Sequence, residues 1–354
     1  MRRGDLEWGT IPRLARSAAE RFSGDDAVVD GDTVLSFASL WSAARAAAKA
    51  FVAVGVEPGD RVAIWSPNIW EWPVALLGLQ AAGGVVVPLN TRYKGVEAAY
   101  ILGKSGARVL VTAQGFLGND YLSMLEGHDL PALEHRVVLR DSSWDDFLAA
   151  GSDVADSVVD ERISARDADD LSDIIFTSGT TGAPKGVMAT HGQTLRAFTD
   201  WADLVGLDHG DRYLVVNPFF HSFGYKAGIV ASLVAGATVV PQAVFDVAET
   251  VRLVGEHKIS CIPGPPTIYQ SLLNSPEAGE LANLRLAVTG AAAIPVSLVD
   301  RMRTELGFET VLTAYGLTEA TGFATSCRAD DDPETIATTS GRAIPGVEVR
   351  IVDD

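Results

Sequence analysis

One block of sequence occurs twice, and it limits the fold more than any other feature of the chain. Gly59-Asp60-Arg61-Val62-Ala63-Ile64-Trp65-Ser66-Pro67-Asn68 returns as Gly210-Asp211-Arg212-Tyr213-Leu214-Val215-Val216-Asn217-Pro218-Phe219. Each copy runs into an apolar stretch of helical length, then a small-residue turn and a β-branched strand. These closing segments are Ala82-Gly83-Gly84-Val85-Val86-Val87-Pro88 and Ala235-Gly236-Ala237-Thr238-Val239-Val240-Pro241. Strand, helix, glycine turn and strand make a βαβ unit, whose crossover is almost always right-handed. Gly-Asp-Arg, the proline after the strand, and the closing glycine and proline all recur in order, so the two units read as a duplication rather than as the alternative, a chance resemblance between common βαβ patterns. The expected fold class is α/β, with two related α/β lobes whose mainly parallel sheets are covered by helices. The expected division is residues 1–165 and 166–354. A chain of 354 residues also exceeds what one core usually serves.

Phe37–Gly55 and His191–Gly206 read as long helices ending at glycine caps. The acidic stretch Asp141–Asp173, with a short apolar piece at Trp144–Leu148, reads as a surface connection between the lobes, and Asp330–Thr339 as another exposed loop. The longest apolar runs, Val74–Leu89 and Ala227–Pro241, fall short of the roughly 20 residues that span a bilayer. No membrane span is expected, and Met1–Trp8 lacks the apolar core of a signal peptide. A formal net charge of -18 argues against nucleic acid or an anionic membrane as the main partner. Cys261 and Cys327 make no disulfide framework and no zinc-ligand spacing, so a reducing, cytoplasmic compartment is expected.

The strongest chemical signal is an abrupt strand-to-loop change. Ile174-Ile175-Phe176 reads as a buried strand and ends in Thr177-Ser178-Gly179-Thr180-Thr181-Gly182-Ala183-Pro184-Lys185-Gly186. Glycines let successive backbone N–H groups turn inward as an anion nest. The hydroxyls add donors that rotate to meet phosphate oxygens, and Lys185 adds a mobile positive charge. Together they suit a polyphosphate, and core packing does not call for them. The spacing is not that of a Walker loop, because Gly182 and Lys185 are separated by Ala183-Pro184.

This loop resembles the signature of the adenylate-forming superfamily, which includes the acyl-CoA synthetases, luciferases and peptide-synthetase adenylation domains. Further stations of that family follow in order. Gly290-Ala291-Ala292 stands after the strand Leu284–Thr289, where the resemblance implies a backbone cradle for adenine. Ala314-Tyr315-Gly316-Leu317-Thr318-Glu319 follows the strand Thr310–Thr313, and Gly341–Gly346 fits the next turn. In the family the tyrosine ring stacks on adenine, the threonine meets the α-phosphate and the glutamate holds Mg²⁺. The implied cofactor-binding set is therefore Thr177, Ser178, Gly179, Thr180, Thr181, Gly182, Lys185, Gly290, Ala291, Ala292, Ala314, Tyr315, Gly316 and Thr318. The implied metal residues are Thr177 and Glu319, and the implied catalytic set is Lys185, His221, Thr318 and Glu319.

Asn217-Pro218-Phe219-Phe220-His221-Ser222-Phe223-Gly224 matches the segment that lines the acyl pocket in the family. His221 reads either as a satisfied core histidine or as a wall of the acid site. Amino-acid-activating relatives place an aspartate here, whereas no Asp or Glu occurs between Asn217 and Gly236. Phe220, Phe223 and Tyr225 suggest a bulky apolar acid. The expected substrate residues are His221, Phe223, Gly224, Tyr225, Lys226 and Leu317. Lys226 reads as a stem that snorkels to water, or as a donor to a polar group on the acid, such as a ketone. Arg61–Asn68, Pro88–Tyr93 and Phe219–Gly228 together are similar to the actinobacterial ligases that activate the bicyclic propanoate left from steroid rings C and D.

The resemblance implies two half-reactions, with ATP, Mg²⁺ and coenzyme A as partners of a small-molecule carboxylic acid. The acid is first converted to an acyl-adenylate and then transferred to coenzyme A. Fatty and aryl acids remain open as substrates, as does a non-catalytic short relative that only binds acyl or adenine ligands. Oligomeric state is open too, a homodimer included. The chain stops at Ile351-Val352-Asp353-Asp354, before the family's Thr-Gly-Asp station, its hinge and its C-terminal lid with the lysine. The expectation is a shortened form of a longer enzyme that folds and binds weakly but is inactive or nearly so.

Overall fold

The computed structural model describes residues 2–178, 182–276, 281–290, 292 and 294–352. The first repeated unit forms as its pattern predicts. β3 (Arg61–Trp65) and β4 (Val85–Pro88) lie parallel, joined by the helix Glu71–Ala81. That helix is buried on every side, because the strands lie beneath it and the helix Phe37–Ala53 covers it. The two helices approach closely because small residues meet between them. A Cβ at Gly78 would stand 2.6 Å from the Ala47 Cβ and 2.7 Å from the Ala44 carbonyl oxygen. Ser36 starts the covering helix by accepting from the Ser39 amide at 3.1 Å.

The second unit repeats this wiring. β9 (Arg212–Val215) and β10 (Thr238–Pro241) are parallel, with Arg212 opposite Thr238 and Val215 opposite Pro241. In the first unit Arg61 faces Val85 and Ile64 faces Pro88, so the register is the same. The aspartate of each Gly-Asp-Arg block does the same work twice. Asp60 accepts from the Glu57 amide at 2.9 Å and pairs with Arg108. Asp211 accepts from the Asp208 amide at 2.8 Å and pairs with Arg285.

Among the described residues the strands form two sheets. One runs β6 (His135–Val138), β5 (Val109–Thr112), β3, β4, β7 (Leu171–Thr177), β8 (Lys185–Thr190). The other begins β2 (Thr33–Ser36), β1 (Asp26–Asp30), β10, β9. It continues through a bridge at Cys261, which pairs with Tyr213 and Leu286, to β11 (Leu286–Gly290), β12 (Thr310–Tyr315), β13 (Thr325–Ser326) and β14 (Arg342–Ala343). Pairing crosses the expected division at 165/166 in both directions. β1 pairs with β10, and β7 pairs with β4. Asn68, in the loop after β3, adds a further tie. Its Nδ2 donates to the carbonyls of Val215 (3.0 Å) and Asn217 (2.9 Å), and its Oδ1 accepts from the Phe219 amide (2.7 Å).

Both expected surface loops contain helix. Ser142–Ala150 and Asp156–Ser164 are helical and bury Trp144, Phe147, Val159 and Ile163 against the rest of the molecule. Their many Asp and Ser residues mask an apolar pair at helical spacing in each. Pro333–Thr338 is also helical, started by Asp332 accepting from the Thr335 amide at 2.8 Å. The two long helices end close to the expected caps, at Ala53 before Gly55 and at Val205 with Gly206 left-handed at φ 72°. Among the described residues no helix is long and apolar enough to cross a membrane.

Candidate active site

A cavity of about 750 Å³ opens at the carboxyl ends of β7, β11 and β12, where open α/β sheets place their ligands. Its volume lies within the range that small-molecule sites occupy. Three stretches of wall have different chemistry.

The first is polar. Thr177, Ser178 and Lys185 line it, and strand register puts Lys185 directly opposite Thr177. Thr177 donates its hydroxyl to Glu319 Oε1 at 3.2 Å, which joins residues 142 positions apart. Glu319 sits in the short turn Thr318–Ala320. One carboxylate and one hydroxyl at the mouth of a cavity are the hard oxygen donors that suit Mg²⁺, a cation that keeps waters and phosphate oxygens as its other ligands. Gly179, Thr180 and Thr181 lie outside the described residues. Gly182 takes φ 138°, open to glycine, and does not line the cavity.

The second stretch is largely backbone. Gly290, Ala314, Tyr315, Gly316, Leu317 and Thr318 line it. β11 and β12 bring Gly290 opposite Ala314, and a Cβ at Gly290 would stand 2.3 Å from the Ala314 carbonyl oxygen. Only glycine allows that approach. Tyr315 is 50% exposed, unusual for so large an aromatic residue, and it stands beside these peptides. Ala291 lies outside the described residues, and the exposed Ala292 is not part of the wall.

The third stretch is apolar and aromatic. Trp201 meets Phe223 edge-on at 5.3 Å and Phe323 at 5.1 Å, the geometry that aromatic quadrupoles favour. His221 forms the border. Its Nδ1 accepts from the Phe223 amide at 3.2 Å, so the neutral ring carries its proton on Nε2. The imidazole faces the open cavity yet has protein on most sides. Desolvation therefore pulls its pKa below the usual histidine value and favours the neutral form.

Three residues expected on the acid side stand behind this wall. Gly224 is buried in the turn after His221, where a Cβ would meet the Pro218 carbonyl oxygen at 2.1 Å. Tyr225 is buried and its hydroxyl accepts from Gln80 Nε2 at 3.0 Å. Lys226 neither snorkels to water nor reaches the cavity. It is 1% exposed, and its Nζ lies 3.0 Å from Oδ1 of the equally buried Asp173 on β7. The reason is a carboxylate placed beside it by a strand more than fifty positions away, which the local apolar context of Lys226 does not reveal.

Sequence reasoning missed Trp201, Pro265, Thr289 and Phe323, all of which line the cavity. Trp201 belongs to an amphipathic helix in which a core tryptophan and a cavity tryptophan look alike. The run Pro263-Gly264-Pro265-Pro266 did carry a signal, since such a turn between apolar segments marks a loop at a strand end.

Comparison with known proteins adds identity to this geometry. The family model for the AMP-binding enzyme matches residues 15–354. The 7a-methyl-1,5-dioxo-octahydro-1H-inden-4-yl propanoyl:CoA ligase of Mycobacterium tuberculosis is 49% identical over 98% of this chain and 69% of its own length. The ligase of the same name from Rhodococcus jostii is 47% identical over 97% of this chain and 69% of its own length. Among solved structures, the inhibitor-bound N-terminal domain of FACL13 from Mycobacterium tuberculosis superposes with a TM-score of 0.81 at 27% identity, covering 95% of this chain and 83% of that one. With the strand-to-loop signature, the glycine-lined backbone wall and the aromatic wall on one cavity, the chain belongs to the AMP-binding enzyme family, as an enzyme of the acid–CoA ligase kind.

Proposed function

We propose that this cavity activates a bulky bicyclic propanoic acid with ATP and passes it to coenzyme A. The observation that carries the reading is the hydrogen bond from Thr177 to Glu319 at the mouth of a cavity whose far wall is aromatic. It brings a phosphate-type loop and a carboxylate together next to an apolar acid site. In the first half-reaction a carboxylate oxygen of the acid attacks the α-phosphorus of ATP. The bond to pyrophosphate breaks and an acyl-adenylate forms. In the second, the thiol of coenzyme A attacks the acyl carbon and AMP leaves.

Each wall has a part in this. Thr177, Ser178 and Lys185 hold the departing phosphates through hydroxyl and ammonium donors. Tyr315 offers its exposed face to adenine, while Gly290, Ala314 and Gly316 leave room for the base beside the backbone. Thr318 donates its hydroxyl to the α-phosphate. Thr177 and Glu319 would hold Mg²⁺, which when bound offsets the negative charge of the phosphates. Neutral His221 presents Nε2–H to the carboxylate, and Phe223, Leu317 and Trp201 cover the body of the acid.

Two relatives near half identity carry the bicyclic dioxo-indane propanoate in their names, and this supports the same substrate class here. The lack of Asp or Glu between Asn217 and Gly236 supports an acid without an ammonium group. A ligation screen of the full-length protein with ATP and coenzyme A, read by mass spectrometry of the thioester, tests this. The panel is the bicyclic diketone propanoate, aryl acids and straight-chain fatty acids. Thioester formed from the bicyclic acid in preference to the others is expected. Preference for straight-chain acids would overturn the substrate class.

A further inference from the structure

Asp173 and Lys226 are both 1% exposed, and their charged atoms stand 3.0 Å apart. Burying such a pair is costly, and apolar residues of the same size often do as well or better for stability. Its surroundings suggest what it does instead. Lys226 is the second residue of a π-helical turn, Tyr225–Val230, inserted in a continuous helix. The helix starts as Ser222–Gly224 and ends as Ala231–Ala235, with helical backbone angles across both joints. Wide turns of this kind are rare and are frequently found at functional sites.

The start of this helix carries the acid-side wall. His221 caps it by accepting from the Phe223 amide, and both residues line the cavity. Asp173 lies four residues before Thr177 on β7, so the same strand ends at the polar wall. Neighbouring polar groups brace the pair. Ser172 donates to Asp173 Oδ2 at 2.7 Å, and Gln80 Nε2 donates both to the Ser172 carbonyl (3.1 Å) and to the Tyr225 hydroxyl (3.0 Å). If the wide turn closed to ordinary α-helix, the helix start would rotate by roughly 100° and shift by about 1.5 Å. His221 would no longer bear on the same point.

We infer that Asp173–Lys226 is a positioning pair: it holds the wide turn against β7 and so fixes His221 and Phe223, on the acid side, relative to Thr177 on the phosphate side. The inference deepens the proposed function and rests on it for the meaning of the two walls. Neither residue touches substrate. Both act through His221.

The test uses the double variant Asp173→Asn/Lys226→Met, which removes both charges at nearly constant volume. Two probes are titrated by calorimetry: AMP, and the acyl-adenylate mimic 5′-O-(N-(3-cyclohexylpropanoyl)sulfamoyl)adenosine. AMP touches one wall and the mimic must satisfy both. The double variant is expected to keep its AMP affinity within about twofold and to lose about tenfold or more for the mimic, as misplacement by an ångström commonly costs. Equal losses for both probes, or none for the mimic, would overturn the inference. A crystal structure of the double variant tests the geometry directly. Closure of the turn with His221 displaced is expected, and an unmoved turn and His221 would refute the positioning role whether or not the mimic binds. If the wild-type chain fails to bind the mimic, the proposed function falls and the crystal structure alone decides the inference. Should the double variant not fold, Lys226→Arg keeps the charge and alters the head. It is expected to lose about threefold for the mimic only, and unchanged affinity there would count against the pair.

Discussion

His191 makes an acid limb of stability that can be calculated. It begins the helix His191–Val205, is 2% exposed, and its Nδ1 accepts from the Ile11 amide at 3.4 Å. Burial pulls its pKa from 6.5 to about 4, opposed by the nearby Asp170 and assisted by Arg166, Arg13 and Lys226. The folded value is depressed, so the native state prefers the neutral ring. The unfolded chain takes up a proton as pH falls through 6.5, while the native protein does not until about pH 4. Stability from this group is therefore fully present above pH 6.5 and is lost as pH falls towards 4. Each pKa unit corresponds to about 1.4 kcal/mol, so the complete loss is about 3 kcal/mol. Between about pH 7.5 and pH 5 it amounts to about 2 kcal/mol. His191→Asn keeps an acceptor near the Ile11 amide and removes the titration. Urea unfolding followed by tryptophan fluorescence at those two pH values should show the variant losing about 2 kcal/mol less than the wild-type chain. Carboxylates and the other histidines titrate in both proteins and cancel in the difference. Equal losses, within about 0.5 kcal/mol, would refute the argument that desolvation of this ring sets the acid limb.

Glu319→Gln keeps the shape of the carboxylate and removes its charge. In the full-length protein the ATP-dependent step, measured as pyrophosphate exchange, should fall by about a hundredfold or more, while AMP affinity by calorimetry stays within about threefold. Trp201→Ala removes an aromatic side chain that is 1% exposed and whose Nε1 has no hydrogen-bond partner among the described residues. The loss is thus one of packing, about 3–5 kcal/mol in urea unfolding. In a competition ligation with the full-length protein the enlarged wall should shift preference towards longer acids; an unchanged ranking would remove Trp201 from the specificity wall.

Much of the fold is legible in the sequence because repeated local signals state which faces are buried. The two βαβ units, the glycine-ended helices and the strand ending at Thr177 follow from period, caps and turn residues. Choice of partner is another matter. Nothing in Asp26–Ser36 says that it joins the sheet of the second unit, because edge pairing is decided by the assembled surface. Likewise Asp173 closes a stretch that reads as acidic surface, while Lys226 reads as an isolated charge. Each looks solvated because the other lies more than fifty positions away. The Thr177–Glu319 contact is legible only through resemblance, since a carboxylate and a hydroxyl so far apart give no local sign of meeting.

The two units share their turn wiring and differ in the helix between their strands. The turn wiring is the same in both, with Asp60 and Asp211 each accepting from a backbone amide and pairing with an arginine that stands just before another strand of the same sheet, Arg108 before β5 and Arg285 before β11. The helix between the strands is not. In the first copy Glu71–Ala81 is a regular, wholly buried helix. In the second copy the same position holds His221 at its start, a π turn within it, and a buried lysine bound to the strand of the phosphate loop. Packing alone is met by the first arrangement. The second departs from it directly behind His221 and Phe223, which border the cavity, as the positioning role inferred for the pair requires.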